Sequence, residues 1–222
     1  MYTRIVGDIH GKFNSYRDHS LYKWEGRSVQ IGDYGLGFGQ SSYWVNNVKE
    51  HQGSGKHRFI RGNHDNPAVC KTMPGFIPDG LVENHVMYIG GAWSIDNPNA
   101  PKGWYRRLEG YDWWADEECS DDQFDIFMDT YLAIKPKVMI THDCPNSASR
   151  EMFFKTGLVK GEEYPNRTSA AFQRMYEVHQ PDFWFFGHWH YTKHLKMGNT
   201  HFQCIGELEY IDFDLDTLEF AL

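Results

Sequence analysis

Gly62-Asn63-His64-Asp65 offers an amide carbonyl, an imidazole and a carboxylate in consecutive positions, directly after the apolar pair Phe59-Ile60. The same arrangement recurs four times. Asp8 and His10 follow Ile5-Val6, Asp33 follows Val29-Gln30-Ile31, His142 follows Val138-Met139-Ile140, and His188 and His190 follow Phe183-Trp184-Phe185-Phe186. Short apolar runs of this kind read as strands, and in α/β sheets ligands bind outside the carboxyl ends of the strands. Five strand ends carrying oxygen and imidazole donors therefore converge on one site.

Sorted by chemistry, these donors account for two divalent cations. One takes Asp8, His10 and His190, the other Asn63, His142 and His188, and the carboxylate of Asp33 bridges both. Mixed imidazole, carboxylate and amide sets suit Mn, Fe, Zn or Ni better than Mg or Ca, which prefer oxygen throughout. Two ions about 3.5 to 4 Å apart are the standard device for in-line displacement at phosphorus, with a bridging hydroxide as nucleophile. His64 is surplus to both sets and is the expected proton donor to the leaving group, with Asp65 expected to orient its ring. Cys144 follows His142 by two positions, but no base can be assigned to it as a nucleophile.

The elements that must position these groups follow in order. Strands are expected at Thr3–Val6, Arg27–Ile31, Lys56–Ile60, His85–Ile89, Lys137–Ile140 and Phe183–Phe186. Helices are expected at Asn14–Trp24, Ser41–His51, Gln123–Ala133 and Thr168–His179, giving strand-helix-strand units and a largely parallel sheet. The tail alternates with period two over Tyr191–Met197, Thr200–Ile205 and Leu208–Leu215, with Gly198-Asn199 as a turn, and predicts antiparallel strands forming a second sheet. Residues 97–122 have poor periodicity and many aromatics, an excursion that either caps the mouth of the site or packs on the domain as a helical insertion. Trp104, Arg106 and Arg107 within it are candidate substrate-binding residues.

Composition limits the alternatives. With 222 residues, one domain spanning 1–222 is expected. The net charge is -8 and the 22 Lys and Arg are dispersed, which argues against strong nucleic-acid binding. No apolar run approaches the length of a membrane span, and four cysteines without CxxC spacing or a secretory leader suggest a reduced, cytoplasmic protein.

The ordered pattern Asp8-x-His10, Gly32-Asp33, Gly62-Asn63-His64-Asp65, His142, Gly187-His188-x-His190 resembles the calcineurin-like metallophosphoesterase superfamily over residues 7–190. The resemblance implies an α/β fold of four layers, two β-sheets packed face to face with helices outside, and a dinuclear site in which the residues above carry the family's roles. It implies a metal-dependent phosphoric ester hydrolase acting on a small phosphoester, nucleotides included. Gly7-Asp8-Ile9-His10-Gly11 and Arg61-Gly62-Asn63-His64 are similar to Ser/Thr phosphoprotein phosphatases. Those continue their second motif with Asp and Arg, where this chain has Leu36 and Gly37. A phosphate-clamping arginine is thus missing from its expected place, which favours a phosphodiesterase. The alternatives are a phosphomonoesterase acting on phosphoproteins or nucleotides, and a non-catalytic metal-binding scaffold of the same fold.

Overall fold

A computed structural model describes residues 1–40, 55–99, 105–154 and 166–221. Strand β1 (Thr3–Val6) pairs in parallel with β2 (Arg27–Ile31), and β2 with β3 (His57–Ile60). Between β1 and β2 the chain makes one short helical turn, α1 (Phe13–Ser15), and then a wider π-type turn over Tyr16–Ser20, where a regular helix to Trp24 is expected from the aromatic spacing. The expected helix Ser41–His51 lies outside the described residues.

The second sheet is built around β5 (Val86–Ile89), β6 (Val138–Thr141) and β7 (Phe183–Phe186), all parallel. A two-residue strand, β4 (Val82–Glu83), closes one edge antiparallel to β5. Helix α3 (Asp121–Ile134) is set by a capping box in which Ser120 and Gln123 satisfy each other's backbone N–H groups. It is numbered after the short turn α2 (Pro67–Cys70), whose cap is Asn66. Helices α4 (Asn146–Phe153) and α5 (Arg167–Val178) complete this flank.

The tail departs from the expected single antiparallel sheet. Strands β8 (Lys193–Met197) and β9 (Thr200–Cys204) form the predicted hairpin, but β9 runs parallel to β7 and extends the second sheet. The chain then crosses back, and β10 (Tyr210–Asp214) pairs antiparallel with β1, carrying the edge strand β11 (Glu219–Phe220). Period-two alternation reveals that a segment is a strand but not which edge it joins. The finished orders are β11-β10-β1-β2-β3 and β4-β5-β6-β7-β9-β8.

Alternate residues of the strands face different cores, which places the two sheets face to face. Ile5, Ile31, Ile60, Val86, Tyr88, Val138, Ile140, Phe185 and Phe213 fill the space between them. Met87, Met139, Trp184 and Phe186 point the other way, against Phe124, Phe127 and Tyr131 of α3 and Phe172 and Met175 of α5. On the far side of the first sheet, Val6 and Phe59 pack with Phe13, Tyr16, Tyr34 and Leu36. Strands buried on both faces read as continuous apolar runs, which is why they were visible as short hydrophobic blocks. No helix among the described residues is long and apolar enough to cross a membrane.

Ile140 is fully buried between the sheets, one residue pair from the strand end that carries His142. Ile140→Ala is expected to cost about 2–5 kcal/mol of unfolding free energy in a denaturant titration, the transfer and cavity terms adding.

Candidate metal centre

The five strand ends meet at one edge of the sandwich. The side chains of Asp8, His10, Asp33 and His190 offer ligand atoms all within 4.8 Å of one another, a group suited to holding a metal ion. His190 Nε2 lies 3.2 Å from Asp8 Oδ2, and His10 Nε2 lies 3.7 Å from Asp33 Oδ2. The other oxygen of Asp33, Oδ1, faces the second set, 3.2 Å from His142 Nε2. His142 Nε2 and His188 Nδ1 are 3.1 and 3.0 Å from Asn63 Oδ1. All seven residues expected to hold metal are therefore brought together, with Asp33 between the two sets.

The donor chemistry fits cations. His142 Nδ1 sits 2.8 Å from the carbonyl of Ile31 and donates to it, which leaves Nε2 facing two oxygens, Asn63 Oδ1 and Asp33 Oδ1. The amide of Asn63 is oriented the same way, because its Nδ2 donates to Ser94 Oγ at 3.0 Å and leaves Oδ1 in the site. Oxygens gathered around His142 Nε2 call for positive charge there, which a proton on the ring or a bound cation would supply. The electrostatics agree. Burial alone would lower the pKa of His142, but the carboxylates of Asp33 and Asp8 push it up to about 10. Burial would raise that of Asp33, and the imidazoles of His142, His64 and His10 hold it well below the usual carboxylate range.

Backbone geometry sets these side chains. His10, Asp33, His188 and His190 all take positive φ, between 45° and 68°, an uncommon conformation for residues with a Cβ. The peptide N–H of His188 donates to both oxygens of Asp8 at 3.1 Å, joining the ends of β1 and β7 across the two sheets. A Cβ at Gly187 would stand 2.3 Å from Asp8 Oδ1, and one at Gly62 would stand 2.1 Å from Asp33 Oδ1. Both positions need glycine because the neighbouring ligand carboxylate presses on the backbone. Behind the His188 turn, buried Asp143 accepts from Trp189 Nε1 at 3.0 Å and Ser169 Oγ at 2.6 Å, anchoring the motif to α5.

His64 lies beside the two sets. Its peptide N–H donates to Asp33 Oδ1 at 2.7 Å, and its ring stacks on Phe38 and meets His10 edge-on, each with centroids 4.9 Å apart. Burial, opposed by Asp33 and reinforced by Arg107 and His10, lowers its pKa to about 4.

Asp65 corrects its expected role. Its fully buried carboxylate accepts from the backbone N–H groups of Tyr34, Gly35, Leu36 and Gly62 at 2.7–3.0 Å, and so ties the Asp33 loop to the Asn63 loop instead of orienting the His64 ring. A second correction concerns the excursion. Arg107 is only 2% exposed, and its guanidinium donates to Asp96, the carbonyls of Asn63 and Asp112, and Ser94 Oγ, leaving no free fork for substrate. Arg106 is exposed, and Trp104 lies outside the described residues. From 105 to 120 the described chain is turns with a Glu109–Trp113 bridge, not a helix, and it borders the site through Trp114, 6.3 Å from Phe38. Sequence reasoning missed Ser94 and Phe38. Ser94 follows strand β5 as the ligands follow theirs, and that position was its only signal.

Two outcomes test this geometry. Gly187→Ala should weaken Mn or Zn binding about 10–100-fold in a calorimetric titration, because Asp8 must move from its place. Glu117, buried against Ser94 and Arg107, has its pKa pushed up by burial from 4.5 to about 8. The folded chain therefore keeps a proton that the unfolded chain releases between those values. Its contribution to stability falls as pH rises through that window and is flat above it. Glu117→Gln should remove this component from the pH dependence of Tm.

Among curated proteins none matches this chain. Three solved structures resemble it at low identity. A Staphylococcus aureus protein described as a 5′-nucleotidase, in complex with α-ketoglutarate, has 10% identity and TM-score 0.49, with 99% of this chain and 52% of that chain covered. Sulfate thiohydrolase SoxB of Thermus thermophilus, in complex with glycerol, has 12% identity and TM-score 0.44, covering 94% of this chain and 40% of that one. The phosphopantetheinyl hydrolase of Mycobacterium tuberculosis has 10% identity and TM-score 0.44, covering 93% and 90%. This chain thus spans about half the length of the first of them. A sequence profile describing calcineurin-like phosphoesterases matches residues 1–192, which includes every strand end that carries a candidate ligand, and the chain belongs to that family.

Proposed function

We propose that the protein is a metal-dependent phosphoester hydrolase that prefers small phosphodiesters. The observation that carries the hydrolase reading is the division of Asp33, with one carboxylate oxygen toward His10 and the other toward His142. Asp8, His10 and His190 would hold one cation, and Asn63, His142 and His188 the other. Two divalent ions there would acidify water and neutralise phosphoryl charge. Mn, Fe, Zn and Ni all suit this donor set.

The chain's own residues supply the rest. His64 stands next to the ligand Asn63 and touches His10, within reach of the ester oxygen that departs, and it carries the proton that oxygen needs. Ser94 holds the amide of Asn63, and Asp65 holds the two ligand loops together.

The diester preference rests on the arginines. Leu36 and Gly37 occupy the place where phosphoprotein phosphatases carry an acid and a clamping arginine, and Leu36 is buried in the outer core. Arg107 is committed to protein acceptors. A terminal phosphate dianion gains most from a bidentate guanidinium, whereas a diester monoanion gains less. The four cysteines are free and buried, which supports a reducing compartment such as the cytoplasm.

Chelator-stripped protein reloaded with Mn, Fe, Zn or Ni is expected to hydrolyse bis-p-nitrophenyl phosphate faster than p-nitrophenyl phosphate. His64→Ala should lower turnover of methyl phenyl phosphate, whose leaving oxygen is more basic, about 10²–10⁴-fold while retaining metal, with a smaller loss on the p-nitrophenyl diester. Faster monoester turnover would assign a phosphomonoesterase. No turnover of either ester with metal bound would favour a non-catalytic scaffold.

A further inference from the structure

His64 has two ring nitrogens, and the structure gives them different surroundings. Arg107 Nη2 is 3.4 Å from Nε2, while Nδ1 has no protein partner among the described residues. A guanidinium has five N–H donors and no acceptor, so the nitrogen it faces must present a lone pair. In a neutral imidazole the proton is then on the other nitrogen.

Arg107 is well fixed for this task. Its Nε donates to Asp96 Oδ1 at 2.7 Å, Nη1 to the carbonyl of Asn63 at 2.9 Å and of Asp112 at 3.3 Å, and Nη2 to Ser94 Oγ at 2.6 Å. Glu117 Oε2 lies 3.6 Å from Nη1. The same guanidinium thus grips the peptide of Asn63, the side chain that fixes the Asn63 amide, and the ring that follows in sequence. On its other face His64 is held flat by Phe38, whose ring also lies 5.7 Å from the Arg107 guanidinium carbon. No carboxylate contacts the His64 ring within hydrogen-bonding distance among the described residues.

The geometry points to Arg107 as the positioning residue for His64, a cationic donor at Nε2 that fixes the ring in the Nδ1–H tautomer with Nδ1 as the nitrogen that meets substrate. Resting on the reading of His64 as proton donor, the assignment deepens it by naming the atom. As the ester P–O bond breaks, its electron pair goes to the leaving oxygen, which receives a hydrogen bond from Nδ1–H. The leaving oxygen departs with that proton or hydrogen-bonded to it, and the proton released by the attacking water restores Nδ1–H or completes the alcohol, so no additional reactant is needed. Such a donor matters more for a basic leaving oxygen than for p-nitrophenolate, which departs without a proton.

Two readouts test this. The first is the tautomer, from ¹⁵N–¹H long-range correlation spectra of metal-free protein, with His64→Gln used to assign the ring. The wild type should show Nδ1 protonated and Nε2 bare. Arg107→Lys keeps the charge between Asp96 and Glu117 but loses the planar fork. Its His64 should show a mixture of tautomers. The second is leaving-group dependence in the reloaded enzyme. Arg107→Lys and Arg107→Met should lower kcat for methyl phenyl phosphate about tenfold or more, with KM little changed and a smaller loss for methyl p-nitrophenyl phosphate. Metal content measured on each variant separates this from damage to Asn63. Should Arg107→Met fail to fold, the wild-type spectrum and Arg107→Lys still decide. A proton on Nε2 in the wild type, or an unmixed Nδ1–H tautomer in a folded Arg107 variant, overturns the assignment. Activity unaffected by loss of His64, alongside the expected tautomers, would instead remove the proton-donor reading and leave the positioning intact.

Discussion

The carboxylate of Asp33 is the interaction on which the rest of the site depends. One oxygen takes the peptide N–H of His64 and faces His142, and the other faces His10. Its backbone carbonyl accepts from Ile9 and His10 as well, at 3.1 and 2.8 Å. One residue just past the end of β2, which lies between β1 and β3 in the first sheet, therefore registers the ends of β1, β3 and β6. A fully buried carboxylate is costly unless positive charge or donors surround it, and here imidazoles from both sheets do so. Asp33 is thus both the electrostatic centre and the geometric hinge between the two halves of the sandwich.

Neutralising Asp33 does not by itself hold the loops, and the buried carboxylate of Asp65 solves that problem. It spends its oxygens on four peptide N–H groups, three from the Asp33 loop and one from the Asn63 loop. Adjacent strand ends of a parallel sheet have no further partners in the ladder, so each such loop leaves orphan donors. Asp65 absorbs four of them from a position where both loops are within reach. Arg61 and Arg107 play the converse part for carbonyls of the 105–120 segment, Arg61 holding Asp116 and Glu117 and Arg107 holding Asp112. The irregular excursion is docked by two buried guanidiniums in place of helical hydrogen bonds.

These facts explain what could be read from the sequence. The strands and their polar ends were legible because burial on both faces makes each strand an apolar block, and because ligand types cluster after the block. The placement of Asp33 between two groups of candidate donors was likewise legible, since one carboxylate follows the second strand while the other donors sort into two groups of three. Three features were not. The return of β10 to β1 depends on which sheet edge is open, a property of the whole assembly. The roles of Asp65 and Arg107 depend on orphan backbone groups that exist only once the loops are built. The poor periodicity of 105–120 signals an absence of regular structure and says nothing about the arginines that dock it.

The ligand loops also carry strain that the sheets must hold. Four ligand residues sit at positive φ, at a cost of about 1–3 kcal/mol each for residues with a Cβ. Their imidazoles are brought close together as well, His10 Nε2 lying 2.9 Å from His190 Nε2, where one ring can donate to the other. Neither demand is local in origin, because both come from bringing five strand ends to one point. They are borne by the apolar layer between the sheets, where Ile5, Ile31, Ile60, Ile140 and Phe185 are all fully buried. Those residues lie within four positions of a ligand in the sequence. A rotation of either sheet that relaxed the loops would open this layer, at a cost of roughly 25 cal/mol for each Å² of apolar surface exposed. The inter-sheet core therefore does more than stabilise the fold. It also holds the strand ends that bring Asp8, His10, Asp33 and His190 within 4.8 Å of one another.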